Sequence, residues 1–337
     1  MPLLDKRGFG EPESAPQGLA HSTRNFWSQG PASDRIGSSV MPVSIPGQDA
    51  PRRRAASRPR SLLSTCANPR CASGWLHLWR SRSGPIFEGG WSCSASCTAA
   101  RVEAAVRREM EGRNPGEGLT PAQHRHRIPL GLVMLEQGWI TPEQLRKAID
   151  AQREAGAGRL GDWLVSSQGV PEILVTRALS LQWNCPVLNL DRHDPQQMAV
   201  VLPRLFVEAF AVVPLRVAAG SILYCGFEDR LDPVLALAAE RMCGLRVESG
   251  VVRGSLFDEA HERLLHANFP VAELVSAASN APLVRSLSRA IERVRPVESR
   301  LIRVHDCLWL RMWNRHQSGA VPETSGVEDV IVSLAAD

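Results

Sequence analysis

PLGLVMLEQGWITPEQLRKAIDAQ, residues 129–152, and RLGDWLVSSQGVPEILVTRALSLQ, residues 159–182, are one pattern written twice at an offset of 30. Without a gap, that offset sets Leu130 on Leu160, Gly131 on Gly161, Met134 on Leu164, Leu135 on Val165 and Ile140 on Val170. It continues with Leu145 on Val175, Ala148 on Ala178, Ile149 on Leu179 and Gln152 on Gln182. A unit of this size is repeated to build a core that one copy cannot enclose alone. Each copy predicts two helices around a turn. In the first, Thr141 is a good N-cap, Pro142 suits the first helical position and Gln144 completes a capping box. Leu145, Ala148, Ile149 and Gln152 then share one helix face.

Downstream of the repeat the apolar period shortens. PVLNL (186–190), AVVPLRVA (211–218) and SILYCGF (221–227) predict strands, the last two joined by Ala-Gly as a short hairpin. DPVLALAAERMCG predicts a helix closed by Gly244, and LRVESGVV a returning strand. Two further helices are expected in SLFDEAHERLLHA and PLVRSLSRAIERV. A strand pair, SRLIRVHD and CLWLRMW, follows with His305 and Asp306 at its turn. These patterns predict a C-terminal helical region with a hairpin over 254–314 and a loose tail over 315–337.

The duplicated R-L-G-x-x-L, the glycine four residues later, the Leu and the A-L-x-x-Q together resemble the N-terminal domain of type II secretion and type IV pilus assembly ATPases. The continuation from QWNCPVLNL through LRVESGVV follows the same family, so the resemblance covers about 127–253. It implies an α+β fold, a duplicated helical repeat lobe followed by a small α/β lobe. In the cyclic di-GMP-binding branch of that family the duplicated motif is the ligand site. Carried over, it implies Leu130, Gly131, Gly138, Leu145, Ile149 and Gln152 in the first copy. In the second it implies Arg159, Leu160, Gly161, Val175, Leu179 and Gln182. The chemistry suits such a ligand. Arg offers a planar fork for guanine N7 and O6, leucines pack on flat base faces, and Gly lets backbone approach phosphate. Two positions depart from the motif: Pro129 stands where it has Arg, and Gln168 where it has the turn glycine, with Gly169 one place late.

No G-x-x-x-x-G-K-[ST] loop occurs, so nothing cradles ATP and magnesium as that family's engine does. The expectation is a non-enzymatic adaptor or sensor, with a protein partner in secretion or pilus machinery. GAGRLG, Gly156 to Gly161, satisfies a dinucleotide fingerprint formally. It follows a helix rather than a strand, and its last glycine belongs to the repeat. His124 and His126 sit in a polar linker with no nucleophile motif beside them, so no catalytic residues are expected.

Upstream, Cys66-x4-Cys71 and Cys93-x3-Cys97 are two short pairs about 20 residues apart, a pattern that could place four thiolates around a structural zinc. Trp75, Leu76, Leu78, Trp79, Ile86, Phe87 and Trp91 lie between the pairs as a miniature core, and a helix, AARVEAAVRREMEG, follows. A zinc module is therefore expected over 61–113. Cys185, Cys225, Cys243 and Cys307 sit singly in regular patterns and are expected to be small buried residues.

Residues 1–60, ending in PRRRAASRPR, are expected to be a disordered basic tail. The chain carries a net +4, distributed unevenly, with 18 Lys+Arg against 10 Asp+Glu over 1–128. That tail, with the zinc module and its aromatics, supports a competing reading as a zinc-dependent nucleic-acid-binding regulator, whose mark would be a steep fall of affinity with salt. No run approaches the roughly 18 apolar residues of a membrane span, and the N-terminus lacks a signal-peptide core. A cytoplasmic location without membrane insertion is expected.

Overall fold

The computed structural model describes residues 65–72, 84–112, 128–191, 193–227, 231–277, 279–316 and 319–334. The expected basic tail, the Trp75–Trp79 part of the miniature core and the His124/His126 linker lie outside the described residues. Among the described residues, the elements in chain order start with a two-stranded hairpin, β1 (Ile86–Phe87) and β2 (Gly90–Trp91), and helix α1 (Ala95–Glu111). The first repeat copy forms α2 (Leu130–Glu136) and α3 (Pro142–Ala155), and the second α4 (Leu160–Gln168) and α5 (Glu172–Trp183). The capping box read from the sequence is present: Gln144 N–H donates to Thr141 Oγ1 and Thr141 N–H to Gln144 Oε1. Matched pairs such as Met134/Leu164, Ile140/Val170 and Ala148/Ala178 share one buried core, as the duplication requires.

Next come α6 (Pro195–Met198), α7 (Arg204–Phe210), β3 (Val212–Ala218), β4 (Ile222–Phe227), α8 (Pro233–Cys243) and β5 (Arg246–Val251). β3 pairs antiparallel with β4, and β4 parallel with β5. The Ala219-Gly220 turn has positive φ at both residues, 50° and 63°, which a two-residue hairpin favours because it matches strand twist. Residues 186–190 do not form the expected strand. Only Val187 makes an isolated parallel bridge, to Val251, and the segment runs on as an irregular link. α9 (Gly254–Leu265) buries Phe257, Ala260 and Leu264 in the same core as β3 and α7, so the α/β lobe runs past residue 253.

The C-terminal stretch has the two expected helices and the expected hairpin, but residues 271–277 form a further strand and residues 327–334, expected in the loose tail, form another. It is a four-stranded sheet: β6 (Val271–Ala277), then helix α10 (Asn280–Val294), β7 (Glu298–Val304), β8 (Cys307–Trp313) and β9 (Val327–Leu334). The order is β6-β9-β8-β7, with β9 antiparallel to β8 and parallel to β6. The tail thus supplies an inner strand. Its reading as loose fails because Glu328 and Asp329 open an otherwise apolar run, and Asp329 is neutralised only by a residue on another strand.

Both faces of the inner strands β8 and β9 are covered, which period-2 alternation makes possible. Leu308, Leu310 and Met312 of β8 join Val330 and Val332 of β9 under α1 and α10. Trp309, Trp313 and Ile331 point the other way into the core of the α/β lobe. The cysteine-bearing segment is therefore docked on the C-terminal sheet. Phe87, Val102, Ala105 and Val106 share a core with Leu283, Leu287 and Leu301. Ile86 N–H donates to Pro296 O and Glu88 N–H to Ser299 O, so β1 also covers the β7 end of the sheet.

Glu109 of α1 fastens three elements. Its carboxylate accepts from Arg241 of α8 at 2.9 Å, from the Arg303 N–H of β7 at 3.2 Å and from Arg108 at 3.1 Å. Burial alone would raise its pKa. The Arg241 hydrogen bond and charge, the Arg303 N–H and Arg108 outweigh burial and hold it below the ordinary value. A depressed carboxyl pKa gives stability that is present above the unfolded value, about 4.3, and lost as pH falls through the lower folded one. The stability gap between wild type and Glu109→Gln, from urea unfolding, should shrink as pH drops from 5 towards 3. A constant gap over that range would refute this role.

Candidate functional site

The two repeat copies pack crosswise: α3 lies against α4, and α2 against α5. Two equivalent hydrogen bonds close the arrangement. Gln152 Nε2 donates to Gly158 O at 2.8 Å and Gln182 Nε2 to Ile128 O at 2.9 Å, each glutamine gripping the residue before the other copy's motif. The motif glycines make the close approach possible. A Cβ on Gly131 would stand 2.6 Å from Leu145 Cδ1, and one on Gly161 2.8 Å from Val175 Cγ1. Gly131 and Leu145 are thus locked together, and Gly161 and Val175 repeat that contact in the second copy.

Between these helices and the start of α9 opens a cleft of about 350 Å³. Of the residues singled out in the sequence, Arg159, Leu160, Gly161, Val175, Leu179 and Gln182 line it from the second copy. From the first copy come only Leu130 and Gln152. Gly131 and Leu145 are not on its wall, and neither is the half-buried Ile149. Gly138 is a turn residue with φ 67° and no neighbour near its missing Cβ. In the second copy the left-handed turn falls on Gly169 instead, φ 65°, and Val170 still reaches the core position of Ile140. The displaced glycine at 168/169 therefore leaves the fold unchanged.

Three polar residues in the wall were missed by the sequence reading: Asp162, Glu172 and Thr176. Asp162 sits in the first turn of α4, 3.8 Å from the Arg159 guanidinium, and accepts the Arg159 N–H. Glu172 joins the repeat lobe to the α/β lobe. Its carboxylate accepts from Ser255 N–H at 2.9 Å and Ser255 Oγ at 3.0 Å, at the first turn of α9. Burial raises the Glu172 carboxyl above its ordinary value, against the lowering effect of the two Ser255 hydrogen bonds. Nothing local marks Glu172 in sequence, because Ser255 lies 83 residues away. The cleft thus offers a planar cation, two carboxylates, two amide side chains and an apolar wall.

The second candidate is the cysteine quartet. Cys66, Cys71, Cys93 and Cys97 place their sulfurs within 4.8 Å of one another. Cys71 and Cys93 are 3.5 Å apart, and Cys93 and Cys97 3.7 Å. Zinc–thiolate bonds of about 2.3 Å in a tetrahedron put sulfurs roughly 3.8 Å apart, so four thiolates here fit a closed metal site. The backbone is prepared for it. Asn68 closes a tight knuckle by accepting the N–H of Arg70 on its side chain and that of Cys71 on its carbonyl, and its Nδ2 donates to Cys97 Sγ. Ser94 caps α1 by accepting the Cys97 N–H. Burial pushes the Cys66 thiol up to about 12, so taking up a cation would release protons. The other four cysteines join no such cluster among the described residues. Phe87, expected as core or as a base-stacking platform, is buried in the core.

No protein-family model matches the chain. It is 29% identical over 148 residues to the type IV pilus assembly ATPase PilB of Myxococcus xanthus, covering 43% of this chain and 25% of that one. PilB of Thermus thermophilus is 26% identical over 121 residues, 35% of this chain and 14% of its own. Bacteriophage adsorption protein B of Escherichia coli is 29% identical over 133 residues, 38% of this chain and 17% of its own. The chain therefore spans a quarter or less of the length of these relatives. Among solved structures, MshE with cdg is 23% identical with a TM-score of 0.34, covering 41% of this chain and 99% of that one. The N-terminal domain of XpsE is 21% identical with a TM-score of 0.29, covering 40% and 92%. No described helix is long and apolar enough to cross a membrane. The chain is thus similar over about two-fifths of its length to part of the type IV pilus assembly ATPase PilB, and it matches MshE and the N-terminal domain of XpsE over a similar share.

Proposed function

We propose that this protein is a non-enzymatic regulator or adaptor for type II secretion or type IV pilus machinery, and that its repeat lobe binds a cyclic dinucleotide, cyclic di-GMP. The observation that carries the reading is the convergence of eight of the twelve motif residues on one cleft, with Arg159 on its wall. MshE, which matches 41% of this chain, is solved with cdg. Arg159 supplies the planar fork that guanine O6 and N7 accept, and Leu130, Leu160, Val175 and Leu179 supply the apolar surface for the ring. The cysteine quartet holds a structural zinc, which secures the knuckle over α1 and takes no part in ligand chemistry. The protein acts in the cytoplasm, through a protein partner in the secretion or pilus apparatus.

Calorimetric titration of cyclic di-GMP into the full chain tests this. Saturable binding at micromolar or tighter affinity is expected, weakened at least tenfold by Arg159→Ala. A folded chain that takes up no cyclic di-GMP would reduce the repeat to scaffold and leave only the adaptor role.

A further inference from the structure

The two copies share one backbone pattern, but they contribute unequally to the cleft. Their chemistry no longer matches. At the offset of 30, the second copy presents Gly158, Arg159, Asp162 and Glu172 to the cleft, whereas the first has Ile128, Pro129, Leu132 and Pro142 at those positions. Every charged group on the described wall therefore comes from one copy. The first copy's own charges, Glu143, Arg146 and Arg153 among them, are exposed and line no part of the cleft. Ile128 and Leu132 instead stand 54% and 51% exposed, bare apolar side chains with no donor or acceptor. The volume, about 350 Å³, lies at the low end for small-molecule sites, roughly 300–1,000 Å³.

The geometry points to a ligand with a single recognised head: one guanine nucleotide, read by Arg159, Asp162 and Glu172, rather than a two-fold dinucleotide gripped equally at both ends. This inference rests on reading the cleft as a nucleotide site and narrows what that site recognises. Guanine carries two adjacent acceptors, O6 and N7, and adjacent donors at N1 and N2. A guanidinium on the first pair and carboxylates on the second is the complementary set. Adenine would set its N1 lone pair against a carboxylate and its amino group against the arginine. The first copy gives the cleft only Leu130 and Gln152, so the second half of a cyclic dinucleotide would meet one apolar side chain and one amide there, with no charged partner. Asp162 and Glu172 are specificity-determining residues that the repeat pattern does not reveal, because their counterparts are Leu132 and Pro142.

The test is calorimetry on the full chain with GMP, AMP and cyclic di-GMP in parallel. GMP should bind within about tenfold of cyclic di-GMP, and AMP at least tenfold more weakly than GMP. Pro129→Arg restores the missing guanidinium at an exposed position whose backbone, φ −54° and ψ 142°, any residue adopts. It should raise cyclic di-GMP affinity at least tenfold and leave GMP unchanged. Leu132→Asp, a second restoration on the same side, should act in the same direction. If wild type binds cyclic di-GMP a hundredfold or more tighter than GMP, the single-head inference falls while the cyclic dinucleotide reading stands. If neither nucleotide binds to folded protein, both fall.

Discussion

With the zinc proposed above held by the quartet, Cys97→Ser, or extraction of that metal by a chelator, should unfold residues 65–72 and 84–97 and strip the outer wall from one face of the C-terminal sheet. The effect is large because the segment's other anchors cluster at residues 86–88: the buried Phe87, the Glu88–Arg108 pair and the Ser299 hydroxyl on the Ile86 carbonyl. Its described backbone ties to the rest of the chain are the Ile86 and Glu88 N–H bonds onto the β7 end, and within it Ala67 N–H donates to Trp91 O. Arg101 reaches back from α1 to the carbonyls of Phe87 and Gly90, but four thiols brought together without a cation offer only weak contacts. Structural zinc contributes about 10–16 kcal/mol in zinc-finger peptides. Here part of the segment keeps its packing through Val102, Ala105, Val106 and the Glu109 contacts, so the net loss should be smaller, about 3 kcal/mol. For a chain of this size that lowers the melting temperature by roughly 5–10 °C. Hydrogen exchange should locate the loss: protection vanishes first over 84–97, then weakens in α10 and β8, while the repeat lobe is unaffected. One zinc per chain by native mass spectrometry is the companion result. A metal-free preparation with unchanged exchange and melting would rule out the metal's structural role.

The legibility of this molecule in its sequence follows the range of the interactions involved. The repeat lobe was readable because its information is local and duplicated. Thr141 caps its own helix, and Ala148 and Ala178 are buried for the same reason 30 residues apart. The cysteine quartet was readable as a spacing, although its docking on a sheet some 200 residues later was not. What the sequence concealed depends on distant partners. β9 carries Glu328 and Asp329 in its first three residues, which looks unlike an inner strand until Arg311 is set beside Asp329. β6 is hard to read for a different reason. It is the sheet's edge strand, and Val271 and Leu274 stand mostly exposed, so no alternation of apolar and polar residues announces it. In the cleft, Glu172 acquires its place from Ser255, and only the two lobes together define the wall they share.

Arg311→Met alone should destabilise the protein by about 3–5 kcal/mol, the usual cost of leaving one partner of a buried ion pair without the other. Arg311 and Asp329 have side chains only 1% exposed. They meet as a two-pronged pair, Arg311 Nε to Asp329 Oδ1 at 2.8 Å and NH2 to Oδ2 at 2.7 Å. Trp309 Nε1 donates to the same carboxylate at 2.8 Å, and Arg311 NH1 to Val201 O, also at 2.8 Å. That last bond crosses from the C-terminal sheet to the segment before α7, so the pair sets how the sheet sits on the α/β lobe. Burial disfavours the charged arginine, yet the Asp329 charge and hydrogen bonds outweigh it and raise the Arg311 pKa above its ordinary value. Asp329→Leu alone should cost a similar amount, because it strands the guanidinium. The double variant, Arg311→Met with Asp329→Leu, should recover much of the loss, since no buried charge remains. Its residual cost is chiefly the unpaired Trp309 N–H, about 1–3 kcal/mol, since the Val201 carbonyl keeps the Cys243 thiol as a donor. Urea unfolding of the four proteins gives the coupling directly: a double variant clearly more stable than the sum of the singles supports an interdependent pair. Additive losses, or single variants that cost under about 1 kcal/mol, would mean that apolar packing of Trp309, Trp313 and Ile331 alone holds the sheet in place.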